Sequence, residues 1–112
     1  MSTRAERVAG NVRAALAELL LEEVKDPRVQ AAGLVTVTEV RVSKDLRYAD
    51  VSVSFVGGEG GPAAALQGLA CAAGFLRGEL GRRLDLKFAP ELRFHHDRSA
   101  EHVAEIDRLL KE

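Results

Sequence analysis

The clearest signal along the chain is the spacing of its apolar residues. Val8, Val12, Ala15, Leu16, Leu19 and Leu20 recur at helical intervals and predict an amphipathic helix over 3–25, with Ser2 or Thr3 placed to cap it. Arg4, Arg7 and Asn11 fall on the opposite side. Asp26-Pro27 closes this helix, because a proline disfavours α geometry in the residue before it. From 34 to 43 the sequence LVTVTEVRVS is rich in β-branched residues and reads as a strand. Its alternation slips, with Val35 and Val37 on one parity and Val40 and Val42 on the other. A β-bulge near Thr38-Glu39 would restore a single apolar face.

Residues 48–56, YADVSVSFV, alternate cleanly: Ala49, Val51, Val53 and Phe55 point one way, Asp50, Ser52 and Ser54 the other. A hairpin around Ser43–Arg47 joins the two strands. After the Gly57–Gly61 connector, Pro62 suits a first helical turn, and Leu66, Leu69, Leu76, Leu80 and Leu84 carry a helical stripe to about 84. Leu86, Phe88, Leu92 and Phe94 alternate as one side of a third strand over 86–96, which Pro90 marks as an edge strand or a bulged one. Ser99 caps a short last helix with Val103, Ile106, Leu109 and Leu110 on its apolar side. Joined through a helix, the second and third strands should be parallel neighbours with a right-handed crossover. The expectation is an α+β domain spanning 1–112. It has the order α-β-β-α-β plus a short C-terminal helix, and a three-stranded mixed sheet with helices on one face.

Composition narrows the function classes. The chain has 112 residues, 29% charged and 46% hydrophobic, with a formal net charge of −1. No apolar run approaches the roughly 18 residues of a membrane span. The segment MSTRAERVAG lacks the apolar core of a signal peptide, so the expected compartment is the cytoplasm and no membrane partner is expected. Cys71, the single cysteine, reads as a small packing residue rather than a nucleophile. His95-His96-Asp97, with His102, is the one metal-like cluster, but neighbouring strand residues face opposite sides and cannot easily share an ion. No nucleophile–base–orienter set stands out. Neither catalytic residues, metal nor cofactor are expected.

Positive charge is spread unevenly despite the near-neutral total. Arg77, Arg82 and Arg83 crowd the end of the long helix, and Lys87 follows. Arg4 and Arg7 lie on the polar side of the first helix, and Lys44 and Arg47 in the hairpin turn. As a group these eight are the candidate phosphate-contacting residues; singly, each also fits a solvated surface position. The long helix further carries Gly74, Gly78 and Gly81 on one side. Such a stripe suits either close packing of another backbone or a bent helix presenting amides and arginines to RNA. Gly78-Glu79-Leu80-Gly81 is not a working GXXG loop, since Glu79 would repel a phosphate and the leucine spacing runs straight across it. Ala72-Ala73-Gly74 is the better place for a bend.

The segments RAERVAGNVRAALAELL, DPRV, VTVTEVRVSKDLRYADVSVSF, AAGFLRGELGRRLDLKFAPELRF and HHDRS together resemble the bacterial ribosome-binding factor A family. The resemblance covers nearly the whole chain. It implies a type II KH-like fold in which an Ala-x-Gly kink, here Ala72, Ala73 and Gly74, replaces the GXXG loop. It also implies binding to the free 30S small ribosomal subunit and a role in late maturation of 16S rRNA, including 5′-end processing, with a link to growth in the cold. Ribosomal proteins and other assembly factors are the further partners to expect, and the chain is expected to be a monomer. The competing expectation is a KH-like protein-interaction module that touches ribosomal proteins or assembly factors with little RNA contact.

Overall fold

A computed structural model describes residues 3–99. It contains α1 (Arg4–Glu22), α2 (Pro27–Ala31), β1 (Gly33–Val42), β2 (Tyr48–Gly57), α3 (Pro62–Arg83) and β3 (Glu91–His96). The expected last helix and His102 lie outside the described residues. Thr3 caps α1 in a reciprocal box: its Oγ1 accepts from the Glu6 amide at 3.1 Å, and the Glu6 carboxylate accepts from the Thr3 amide at 3.4 Å. The helix ends at Glu22, three residues before its expected limit and short of Asp26-Pro27, which instead opens a second helix. Asp26 caps α2, accepting the Arg28 amide at 2.9 Å, and Pro27 opens the new helix. The residues expected to end one helix start another, and the spacing of apolar residues carries no sign of so short an element.

The sheet order is β1-β2-β3, with β1–β2 antiparallel and β2–β3 parallel. The bulge falls where the parity slip places it. The register shifts between Val37 and Glu39, so Val35, Val37, Val40 and Val42 stand opposite Phe55, Val53, Val51 and Ala49 on one apolar face. Thr38, the extra residue, turns its hydroxyl to the Asp97 carboxylate at 2.6 Å and the Ser52 carbonyl at 3.2 Å. The bulge residue thereby ties β1 to the segment that leaves β3.

Helix α1 lies against β1, α3 against β3, and α2 against α3. Leu16, Leu19, Leu69, Leu76 and Leu80 are fully buried between helices and sheet. Each such leucine stabilises the fold by about 1.5–3 kcal/mol relative to exposure. Gly33 shows why the β1 entry must be glycine. Its φ is +95°, and a Cβ there would stand 2.2 Å from the Val56 carbonyl oxygen.

Three expectations need correction. The helix α3 is one continuous element through Ala72, Ala73 and Gly74, so the expected bend does not divide it into two helices. Leu69, Leu76 and Leu80 hold one buried stripe across the region, and Gly74 keeps a negative φ, so packing overrides the glycine's freedom. The third strand starts at Glu91 rather than at 86, which leaves Phe88 outside the sheet and 78% exposed instead of packed. Cys71 is exposed, not a core residue.

Candidate nucleic-acid interface

The shortening of β3 creates the most distinctive surface of the molecule. The helix α3 closes with Leu84 as its cap and Asp85 in the left-handed region at φ 52°. The Leu86 amide then donates back to the Gly81 carbonyl at 3.0 Å, a helix-ending turn that usually takes glycine where Asp85 stands. The following loop is braced at both flanks. Arg77 Nε donates to the Ala89 carbonyl at 2.9 Å, and the Glu91 amide donates to the Arg47 carbonyl at 2.7 Å. Pro90 has no amide hydrogen to offer a ladder, so pairing begins only after it.

The hairpin turn on the other side is equally fixed. Leu46 sits at φ 63° and donates to the Ser43 carbonyl at 2.9 Å. Asp45 accepts from the Ser43 hydroxyl at 2.6 Å and the Arg47 amide at 3.1 Å. These hydrogen bonds, the Ser43 hydroxyl first, hold the Asp45 carboxyl below the usual carboxylate range.

Between this turn, the 86–90 loop, the middle of α3 and the first turns of α1 lies a concavity of about 700 Å³. Arg4, Arg47, Arg77 and Lys87 bring four cations to its wall, against the carboxylates of Asp45 and Glu91; Tyr48 and Phe88 supply rings. Lys87 Nζ stands 5.7 Å from the Phe88 ring centre, and the Arg93 guanidinium stands 4.5 Å over Tyr48. Arg93 also pairs with Asp50 at 3.2 Å, and His95 Nε2 meets the same carboxylate at 2.9 Å. The His95 contact first, with Arg93 helping, lowers the Asp50 pKa against the opposing effect of burial.

Half of the eight sequence candidates therefore meet: Arg4, Arg47, Arg77 and Lys87. Arg82 and Arg83 do not join them, being paired with Glu79 and with Glu18 at 3.3 Å respectively. Arg7 and Lys44 lie near the same elements but do not line the concavity. A second hollow, about 460 Å³, runs between α3 and β3 and is floored by Ala73 and Gly74, with Arg77 and Arg93 at its sides. There the small residues leave room beside the helix. Sequence reasoning missed Phe88, Tyr48 and Arg93 as site residues. The signal that could have found Phe88 was Pro90, which bars the preceding residues from a regular ladder.

The described residues include no helix long and apolar enough to cross a membrane. The ribosome-binding factor A family model matches residues 4–110. The ribosome-binding factor A of Thiobacillus denitrificans is 47% identical over 108 residues, covering 96% of this chain and 85% of the relative. That of Caldanaerobacter subterraneus is 41% identical over 112 residues, covering 100% and 90%. A crystal structure of ribosome-binding factor A from Thermus thermophilus superposes with a TM-score of 0.70 at 31% identity, covering 87% of this chain and all (100%) of that one. A Thermus thermophilus homology model, fitted into the cryo-EM map of a complex of the 30S with that factor, gives 0.68 at 31% identity, covering 86% and 97%. With its α+β, KH-like architecture and this near-complete match, the chain belongs to the ribosome-binding factor A family.

Proposed function

We propose that the chain works as one KH-like domain, 1–112, and as a monomer. In the cytoplasm it binds the free 30S small subunit and supports late maturation of 16S rRNA, including 5′-end processing, with a role in growth in the cold. It acts by binding, without catalysis or cofactor. The observation that carries this reading is the gathering of Arg4, Arg47, Arg77 and Lys87 around one concavity in a chain whose net charge is −1. Cations from separate elements suit the phosphates of folded RNA, which fix position without reading sequence. The Thermus thermophilus relative fitted into a 30S complex supports the choice of partner.

Sedimentation of a cell extract through a sucrose gradient tests the partner: the protein is expected with free small subunits, and co-migration mainly with assembled ribosomes would overturn it. Primer extension on 16S rRNA from a deletion strain grown in the cold tests the role, with unprocessed 5′ ends as the expected result. A second reading, contact with ribosomal proteins or other assembly factors, draws on Leu34 and Val56. These cross-strand partners are 55% and 58% exposed.

A further inference from the structure

We propose that Phe88 is a stacking platform for one unpaired RNA base, with Arg4, Arg47 and Lys87 holding the phosphates on either side of that nucleotide. This rests on the reading of the concavity as an RNA site and adds to it which kind of RNA enters. Phosphate contact alone requires no aromatic group. Yet Phe88 is the most exposed large apolar residue among the described ones, at 78%, and it stands beside the cationic wall rather than away from it. Its loop is not slack. The Gly81–Leu86, Arg77–Ala89 and Arg47–Glu91 hydrogen bonds brace it on both flanks, so little freedom is lost when a base settles on the ring.

The surroundings fit a nucleotide. The concavity of about 700 Å³ lies within the roughly 300–1,000 Å³ typical of small-ligand sites. Of its two carboxylates, Asp45 is engaged by the turn, accepting from Ser43 and the Arg47 amide. Arg77 has one nitrogen committed to Ala89 and braces the floor. Lys87 Nζ stands over one face of the ring at 5.7 Å, so a base would stack on the opposite face or displace the ammonium, which would then be free for a neighbouring phosphate. Bases in an RNA duplex are already stacked on each other and cannot cover a side-chain ring, whereas loops, bulges and free ends can. The ligand is therefore single-stranded RNA, read for its unstacked base and not for its sequence.

The chain contains no tryptophan, so Phe88→Trp introduces a single indole as a reporter. The full chain is titrated with an eight-residue oligoadenylate and with an abasic oligomer of equal length, which has the phosphates but no bases. Oligoadenylate is expected to quench the indole and the abasic oligomer to leave it unchanged. Phe88→Ala and Phe88→Leu should both weaken oligoadenylate binding by roughly 5- to 150-fold and leave abasic binding within about twofold. Leucine keeps apolar bulk but cannot stack, so equal loss in both variants excludes a packing explanation. Equal affinity for the two oligomers, or an unchanged affinity in Phe88→Ala, overturns the stacking proposal and leaves the phosphate reading intact. If neither oligomer binds, and Arg4→Gln/Arg47→Gln/Lys87→Gln retains full 30S affinity, the RNA reading of the concavity falls and the stacking proposal with it.

Discussion

Replacing Arg4, Arg47 and Lys87 together by glutamine removes three cations from the concavity while sparing Arg77, whose Nε supports the Ala89 carbonyl. None of the three forms an ion pair among the described residues, so folding should be unaffected beyond about 0.5 kcal/mol each. If each neutralises one phosphate, the log–log dependence of 30S affinity on salt should flatten by about 0.7–0.9 per residue, or about 2–2.7 in all. Between 50 and 200 mM salt the variant should then lose roughly 20–40-fold less affinity than the parent. Arg82→Gln/Arg83→Gln is the control. These arginines are already paired with Glu79 and Glu18, and the slope should hold. Equilibrium binding to purified small subunits at four salt concentrations, with circular dichroism to verify folding, is sufficient. An unchanged slope in the triple variant would refute the assignment of the concavity. A flattened slope in the control alone would move the interface to the end of α3.

Gly33→Ala should destabilise by at least about 1–2 kcal/mol in urea unfolding, since it combines a φ of +95° with a 2.2 Å approach to the Val56 carbonyl oxygen. Gly74→Ala should instead stabilise by about 0.4–1 kcal/mol, because the position is helical and a Cβ there meets nothing within 4 Å; a lower melting temperature would contradict the unbroken helix. Asp26 and Asp97 both have pKa values lowered to about 2, Asp26 mainly by Arg28 and Asp97 mainly by the Thr38 hydroxyl. Folded values below the ordinary aspartate range mean that the unfolded chain takes up protons first, so stability present above about pH 4 should fall away between about pH 4 and pH 2. Acid titration followed by circular dichroism should show this loss, and Asp97→Asn should make it shallower.

Much of the fold is legible because it rests on periodicity. The slip between Val37 and Val40 is visible in the sequence, and only a bulge reconciles it with a single apolar face. The parallel placement of β3 follows from a helix that intervenes between strands. What escapes is set by contacts between distant residues or by signals with two meanings. Asp26-Pro27 reads as a stop but serves as a start. Three glycines in α3 suggest a break between two helices, but the buried leucines on the other side carry one helix across them. Arg83 looks as available as Arg77 until the fold brings Glu18 to it. Phe88 alternates correctly with Leu86 and Leu92, and Pro90 alone betrays that the alternation has no ladder beneath it. The candidate site was therefore half visible: its charge could be read, its rings could not.

The parallel pairing of β3 has a kinetic consequence. The β1–β2 hairpin closes over the short Ser43–Arg47 turn, whereas β3 can join only after the chain has travelled through all of α3. Each doubling of a closed loop adds about 0.6 kcal/mol of entropic opposition, so β3 is expected to dock after the hairpin has closed. The Glu91–Arg47 bond that seats the 86–90 loop beside the hairpin forms in that same step. A nascent or half-folded chain thus has its arginines but no concavity to place them in. The concavity proposed to bind RNA is therefore assembled only when β3 is in place.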